Sequence, residues 1–199
     1  MYLYDNFYTF AEVIKTAYSL FITKVFYRNA FLIRRPFCLR GKPRVKWGRG
    51  LRTGYRCRFE AFGEKEDRET RLAIGENCHL GDNVHIAAAQ KVTIGNNCLI
   101  ASHVFISDCG HGDADEQSPI GHPALRPLVM EPTSIGDDVW IGENVCILMG
   151  SRVGTGSIVG ANAVVTKKFP DYCVLAGVPA RIVKQYDFES GRWERVSGE

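Results

Sequence analysis

The segment Asp108-Cys109-Gly110-His111-Gly112-Asp113 gathers a carboxylate, a thiol, an imidazole and a second carboxylate. Imidazole titrates near working pH, so His111 is suited to take a proton from a hydroxyl as that hydroxyl attacks a carbonyl. Cys109 offers a rival route, in which a thiolate accepts the transferred group first, but a cysteine two places from a histidine is weak ground for it. Asp108 and Asp113 are near enough in sequence to orient the base, and a backbone carbonyl would serve as well. A backbone N–H near Gly142 is a candidate donor to the oxyanion that such an attack creates. The other histidines are 79, 85, 103 and 122, and they show no close pair of the kind that converges on zinc. No metal is expected. The seven cysteines, at 38, 57, 78, 98, 109, 146 and 173, are odd in number and form no C-x-x-C pair, which fits neither a disulfide framework nor a zinc site. A reducing cytoplasm is the expected setting, with most thiols acting as small apolar side chains.

The elements that must hold these groups are written in a six-residue period. Aliphatic residues followed by a small one recur at Ile74, Leu80, Ile86, Ile94, Ile100 and Ile106, then at Ile135, Ile141, Ile147, Val153, Val159 and Val165. A period of six is neither helical nor a sustained alternation. It describes a short strand and a corner, repeated, with the aliphatic residue pointing inward and the small residue letting neighbouring backbones approach. Three hexads make one triangular coil, and stacked coils pair as parallel strands. Counting puts hexads 74, 94 and 135 on one face, 80, 100 and 141 on the second, and 86, 106 and 147 on the third. The register breaks at an excursion over 107–134, which carries His111. His85 lies at the corner leading to the third face with Phe105 one coil above it, so His85 is expected to approach His111. His103 reads as structural or as a subunit contact, and His122 as a solvated loop residue.

The flanks differ. Residues 1–41 are expected to be a helical segment: 2–33 are rich in aromatics near helical spacing and should form one or two amphipathic helices that cap the open end of the coil. A sharper reading puts them on a membrane surface, helped by Arg28, Arg34 and Arg35. The β-helix is expected over 42–184, with 42–62 an irregular first coil, and 185–199 a loosely attached tail. The first sixty residues carry a balance of +10, with only Asp5, Glu12 and Glu60 acidic, and the remainder carries −7. A basic first third suggests an anionic partner or surface; no nucleic-acid partner is expected. No signal peptide is recognised, and no apolar run approaches the roughly 18 residues that span a bilayer. Hydrophobic content of 45% and charged content of 24% are ordinary for a globular protein.

The hexads resemble those of the hexapeptide-repeat acyltransferases. The segments Phe105–Gly112, Ile135–Gly142, Gly160–Lys167 and Ala176–Arg181 are similar to the maltose and galactoside acetyltransferase branch. The phrases Ile100–Ser107, Arg126–Leu128 and Tyr186–Glu189 resemble the O-acetyltransferases of polysaccharide and lipopolysaccharide clusters. The resemblance implies a left-handed parallel β-helix, although the general preference in crossovers is for the right hand. It implies acetyl-CoA as co-substrate, a sugar or glycan hydroxyl as acceptor, and direct transfer with His111 as base. His85 and Asp108 become candidate acceptor-binding residues. Gly142, Gly160, Ala161, Thr166, Lys167, Arg181 and Lys184 match donor-binding positions, the cations meeting phosphates. Glu143 departs from the small polar residue of some relatives. A homotrimer with sites between subunits is implied. The alternatives are an aminosugar N-acetyltransferase or a small-molecule acetyltransferase, then a γ-carbonic-anhydrase-like metalloenzyme or a non-catalytic β-helix.

Overall fold

The computed structural model describes residues 8–112 and 122–196. Each hexad forms a strand of two to four residues and a corner, and successive strands fall on three sheets in turn. One sheet runs Val45–Trp47, Leu72–Ile74, Val92–Ile94, Thr133–Ile135 and Arg152–Val153. A second begins Leu32–Ile33, Arg52–Thr53, His79–Leu80 and Leu99–Ile100, and continues through Trp140–Ile141, Ile158–Val159 and Cys173–Ala176. The third runs Cys38–Arg40, Arg58–Ala61, His85–Ala88, Phe105–Ser107, Cys146–Ile147 and Val164–Val165. The coils pair in parallel, with Ile74 on Ile94 on Ile135, Leu80 on Ile100 on Ile141, and Ile86 on Ile106 on Ile147. These are the three faces expected from counting hexads, and the excursion at 107–134 does not disturb them. The architecture is a left-handed parallel β-helix.

The sequence explains the corners as well as the strands. Asn77, Asn83, Asn97, Asp138, Asn144 and Asn162 occupy left-handed backbone, φ between 56° and 61°, a conformation that Asn and Asp tolerate better than other side chains. Gly142 is small because the coils touch: a Cβ there would lie 2.7 Å from the backbone nitrogen of Ala161. Inside, the aliphatic columns are almost completely buried. The thiols of Cys57, Cys78 and Cys98 sit at inner corners and donate to the carbonyls of Gly81, Gly95 and Gly136 in the next coil, at 3.1–3.2 Å. Burial pushes the Cys57 thiol up to about 11, so it behaves as a small neutral filler. All seven cysteines are free.

Three expectations about the flanks are corrected. The solenoid starts at Leu32 rather than 42, because Leu32–Ile33 and Cys38–Arg40 already pair with the next coil, and 42–62 is in register. The stretch 185–199 is not a loose tail: Arg181–Asp187 and Arg192–Arg195 form antiparallel strands on the end of the second sheet. Tyr172, Tyr186, Phe188 and Trp193 pack there edge to face, at centroid distances of 5.0–5.3 Å, and residues 197–199 lie outside the described residues. Among the described residues the N-terminal flank forms one α-helix, Phe10–Phe26, opened by a capping box between Thr9 and Glu12. Its apolar face does not cap the coil. Only Ser19 and Thr23 are buried, with Thr23 Oγ1 accepting from Ile33 N at 2.8 Å. The lower end is closed instead by Tyr27, Phe37 and Trp47 packed against the core, with Phe37 edge-on to both Tyr27 and Phe59.

Candidate active site

The candidate base stands where the coil lets the chain out. After Ser107 the backbone leaves the third sheet and forms a two-stranded hairpin, Cys109–His111 against Leu128–Met130, with His111 opposite Leu128. Its root is tied down. Thr133 Oγ1 donates to Ser107 O at 2.9 Å, Glu131 N donates to Asp108 O at 3.0 Å, and Gly112 N donates to Pro127 O at 3.1 Å. His111 itself is exposed. Asp113, the other candidate to orient it, falls in 113–121, outside the described residues.

Asp108 does not face an acceptor. Its side chain is fully buried, and its two oxygens accept from the backbone amides of Ala89, Gln90 and Lys91. Those amides belong to the turn between His85–Ala88 and Val92–Ile94, where the step from Ile86 to Ile94 is two residues longer than a hexad. The carboxylate replaces the pairing that the interrupted ladder cannot supply. Asp108 therefore ties the excursion to the coil below.

His85 is turned the same way. The register places Phe105 one coil above it, as expected, with ring centroids 5.2 Å apart. Its Nε2, however, bonds Glu60 Oε2 at 2.9 Å in the coil below, away from the hairpin. Glu60 was missed at the sequence level. It is buried and gathers three cationic or donor groups, with Arg58 Nε at 2.7 Å and Arg40 Nη1 at 2.9 Å besides His85. Burial alone would raise its pKa. Hydrogen bonds from Arg58 and His85, with the charges of Arg58 and Arg40, outweigh that and hold it below the usual carboxylate range. The available signal was its isolation as an acid in the basic first third.

Cys109 is half-buried, and burial raises its thiol pKa; the Ser107 hydroxyl opposes the shift and the Asp108 charge adds to it. A thiol kept protonated is a poor covalent acceptor. The remaining histidines are structural or peripheral. His103 takes a left-handed corner between Asn83, 3.2 Å away, and Glu143. His122 Nδ1 accepts from Ala124 N and caps a short helical turn. Among the described residues no three His, Cys, Asp or Glu side chains are grouped to hold a metal ion.

The donor-side candidates fall on two edges of the third sheet. Gly142, Gly160 and Ala161 stack at the corner where the chain enters it. There Gly142 N donates to Val159 O at 2.8 Å and Gly160 N to Leu175 O at 2.8 Å. The Gly142 amide is thus spent within the ladder and is not available to an oxyanion. Glu143 is engaged too, accepting from Ser102 N at 3.1 Å. Thr166 and Lys167 lie at the opposite edge, just past Val165, which pairs with Ile147, itself paired with Ile106. The hairpin of His111 leaves from this same edge two coils lower, roughly 10 Å along the stack. Arg181 is exposed opposite Ala176, and Lys184 is half-buried beside Val174. Neither these cations nor Lys167 has a carboxylate partner among the described residues.

Comparison with known proteins places this geometry. A model described as bacterial transferase hexapeptide (six repeats) matches residues 132–167, and one described as the hexapeptide repeat of succinyl-transferase matches 71–107. The Escherichia coli K12 protein named "Putative lipopolysaccharide biosynthesis O-acetyl transferase WbbJ" is 38% identical over 193 residues, 95% of this chain and 96% of its own. The galactoside O-acetyltransferase of the same organism is 36% identical over 118 residues, covering 58% of this chain and 55% of its own. A solved galactoside acetyltransferase in complex with coenzyme A is 30% identical, with a TM-score of 0.54 and 74% of each chain covered. The N-acyltransferase AntD of Bacillus cereus superposes with a TM-score of 0.68 over 81% of this chain and 83% of its own at 17% identity, a likeness of fold alone.

Proposed function

Because this chain belongs to the hexapeptide-repeat acetyltransferases, we propose that it moves an acetyl group from acetyl-CoA to a sugar hydroxyl of a surface polysaccharide or lipopolysaccharide, or of its lipid-linked precursor. The observation that carries this reading is the match along nearly the whole chain to a relative named for that chemistry. Acetyl-CoA, when bound, supplies an acetyl thioester. The residues present fit such a donor. Gly142, Gly160 and Ala161 form a low corner against which a flat arm can lie, while Lys167 and Arg181 are exposed cations free to meet its phosphates. His111 accepts the proton of the acceptor hydroxyl as its oxygen bonds the acetyl carbon. It returns that proton to the sulfur as the carbon–sulfur bond breaks, so the products are an ester and a free thiol.

His111 is exposed on the hairpin, and among the described residues no wall encloses a site around it. A homotrimer would supply a neighbour's coil edge as that wall. Seven free cysteines suit the reducing cytoplasm in which acetyl-CoA is made, with the inner membrane face as the place of a lipid-linked acceptor. With its Nε2 held by Glu60, His85 would border the acceptor only through its ring, one strand below Phe105 on the third sheet. The test is thiol release from acetyl-CoA against a panel of sugars, oligosaccharides and amino sugars. Acceptor-dependent release is expected to fall 100-fold or more in His111→Ala. Full activity in that variant would overturn the assignment of the base, and turnover on amines alone would overturn the hydroxyl.

A further inference from the structure

The N-terminal helix is folded inside out with respect to its own protein. At 3.6 residues per turn, Glu12, Thr16, Ser19 and Thr23 share one face. That polar face is the one turned to the coil: Ser19 and Thr23 are buried, and the Thr23 hydroxyl bonds Ser19 O and Ile33 N. The opposite face is Phe10, Ile14, Tyr18, Phe21 and Val25, whose exposures run from 53% to 81%. A helix stabilised by its own core places these faces the other way round. Five large apolar side chains held outward mean that something else covers them.

The surroundings say what. Lys15 and Lys24 flank the apolar stripe on either side, and Arg28 follows the helix; Lys15 lies near Glu12 on the same helix, while Lys24 and Arg28 have no carboxylate partner among the described residues. A groove beside the end of the helix is lined by Lys24, Arg28 and Arg49. The whole first third of the chain carries +10. An apolar stripe rimmed by cations, standing on a basic end, complements anionic headgroups above an acyl layer. A second copy laid against the stripe would bring two such basic ends together. The helix has 17 residues, and among the described residues no helix is long and apolar enough to cross a bilayer, so it would lie in the interface plane.

We infer that the helix Phe10–Phe26 is a docking surface for an anionic lipid bilayer, with Phe10, Ile14, Phe21 and Val25 entering the acyl boundary and Lys15, Lys24, Arg28 and Arg49 meeting phosphates. Docking through the helix puts the solenoid on the membrane by its lower end. The third sheet places the His111 coil three strand spacings above Cys38–Arg40, roughly 15 Å, within reach of the head of a lipid-linked glycan. That last consequence rests on the proposed acetyl transfer; the docking does not.

The full chain is mixed with phosphatidylcholine vesicles, with or without one third phosphatidylglycerol, and bound protein is separated by flotation. Binding is expected on the anionic vesicles, at least tenfold weaker on neutral ones, and at least tenfold weaker in Phe10→Glu and Phe21→Glu. Both variants are at exposed positions and should keep the native melting temperature and turnover on a soluble acceptor. Absence of vesicle binding, binding indifferent to lipid charge, or full binding by both variants would overturn the inference. So would a change of oligomeric state in the variants without vesicle binding by the native chain, which would make the stripe an interface between copies. Inactive protein that still floats would leave the docking standing and remove the acetyl-transfer reading.

Discussion

Asp108 gives the sharpest test of how this site is built. Its carboxylate has no solvent exposure and accepts from Ala89 N at 2.7 Å through Oδ1 and from Gln90 N at 2.8 Å and Lys91 N through Oδ2. Hydrogen bonds to a charged group each contribute about 1.5–3 kcal/mol, but relaxation and water entry keep three such losses from adding. Asp108→Ala is therefore expected to cost about 3–5 kcal/mol, a large share of the roughly 5–15 kcal/mol that holds a domain together. Asp108→Asn keeps one oxygen. Facing Ala89, it sets the new amide donors against the amides of Gln90 and Lys91; flipped, it loses Ala89. The expected cost is about 1–3 kcal/mol. Urea unfolding measures the stabilities, and initial rates over a range of acceptor concentrations measure the site. Stability should fall in the order native, Asn, Ala, and any catalytic loss should appear in kcat through the position of the hairpin. Unchanged stability in Asp108→Asn with a tenfold rise in acceptor KM would refute the reasoning, because the carboxylate would then be facing the acceptor.

Two further outcomes follow from the same geometry. Cys109→Ser is expected to keep turnover within about threefold, since burial holds that thiol protonated; near-total loss, or an acetylated Cys109 in a trapped reaction, would establish the covalent route. Glu60→Gln is expected to lose about 1–3 kcal/mol at pH 7, a figure limited by solvent screening because the Arg40 and Arg58 side chains are 65% and 45% exposed. The Glu60 pKa is depressed by folding, so its contribution is full above the unfolded value of about 4.3 and is lost as pH falls through the folded value. Unfolding measured at pH 7 and again below pH 4 should show the gap between native and variant closing; a gap that stays constant would place the Glu60 charge outside the balance.

The hexads made the solenoid legible because each coil touches only its neighbours. The residue that must be aliphatic, the residue that must be small and the residue that takes a left-handed corner recur at fixed offsets, so Ile86, Ile106 and Ile147 could be stacked by counting. The place of His111 was visible for the same reason, just past a break in a strict period. What lies outside the period depends on contacts that no local pattern specifies. Asp108 stands beside His111 in the chain, yet its oxygens are claimed by amides 17 to 19 residues earlier. His85 was read against the coil above and is held by Glu60 in the coil below, 25 residues away. The aromatic spacing of residues 10–26 announced a helix, but an amphipathic pattern has no way to say which side meets the protein. Only the tertiary structure decided that, when the Thr23 hydroxyl took the backbone of Ile33 and left the apolar face outside.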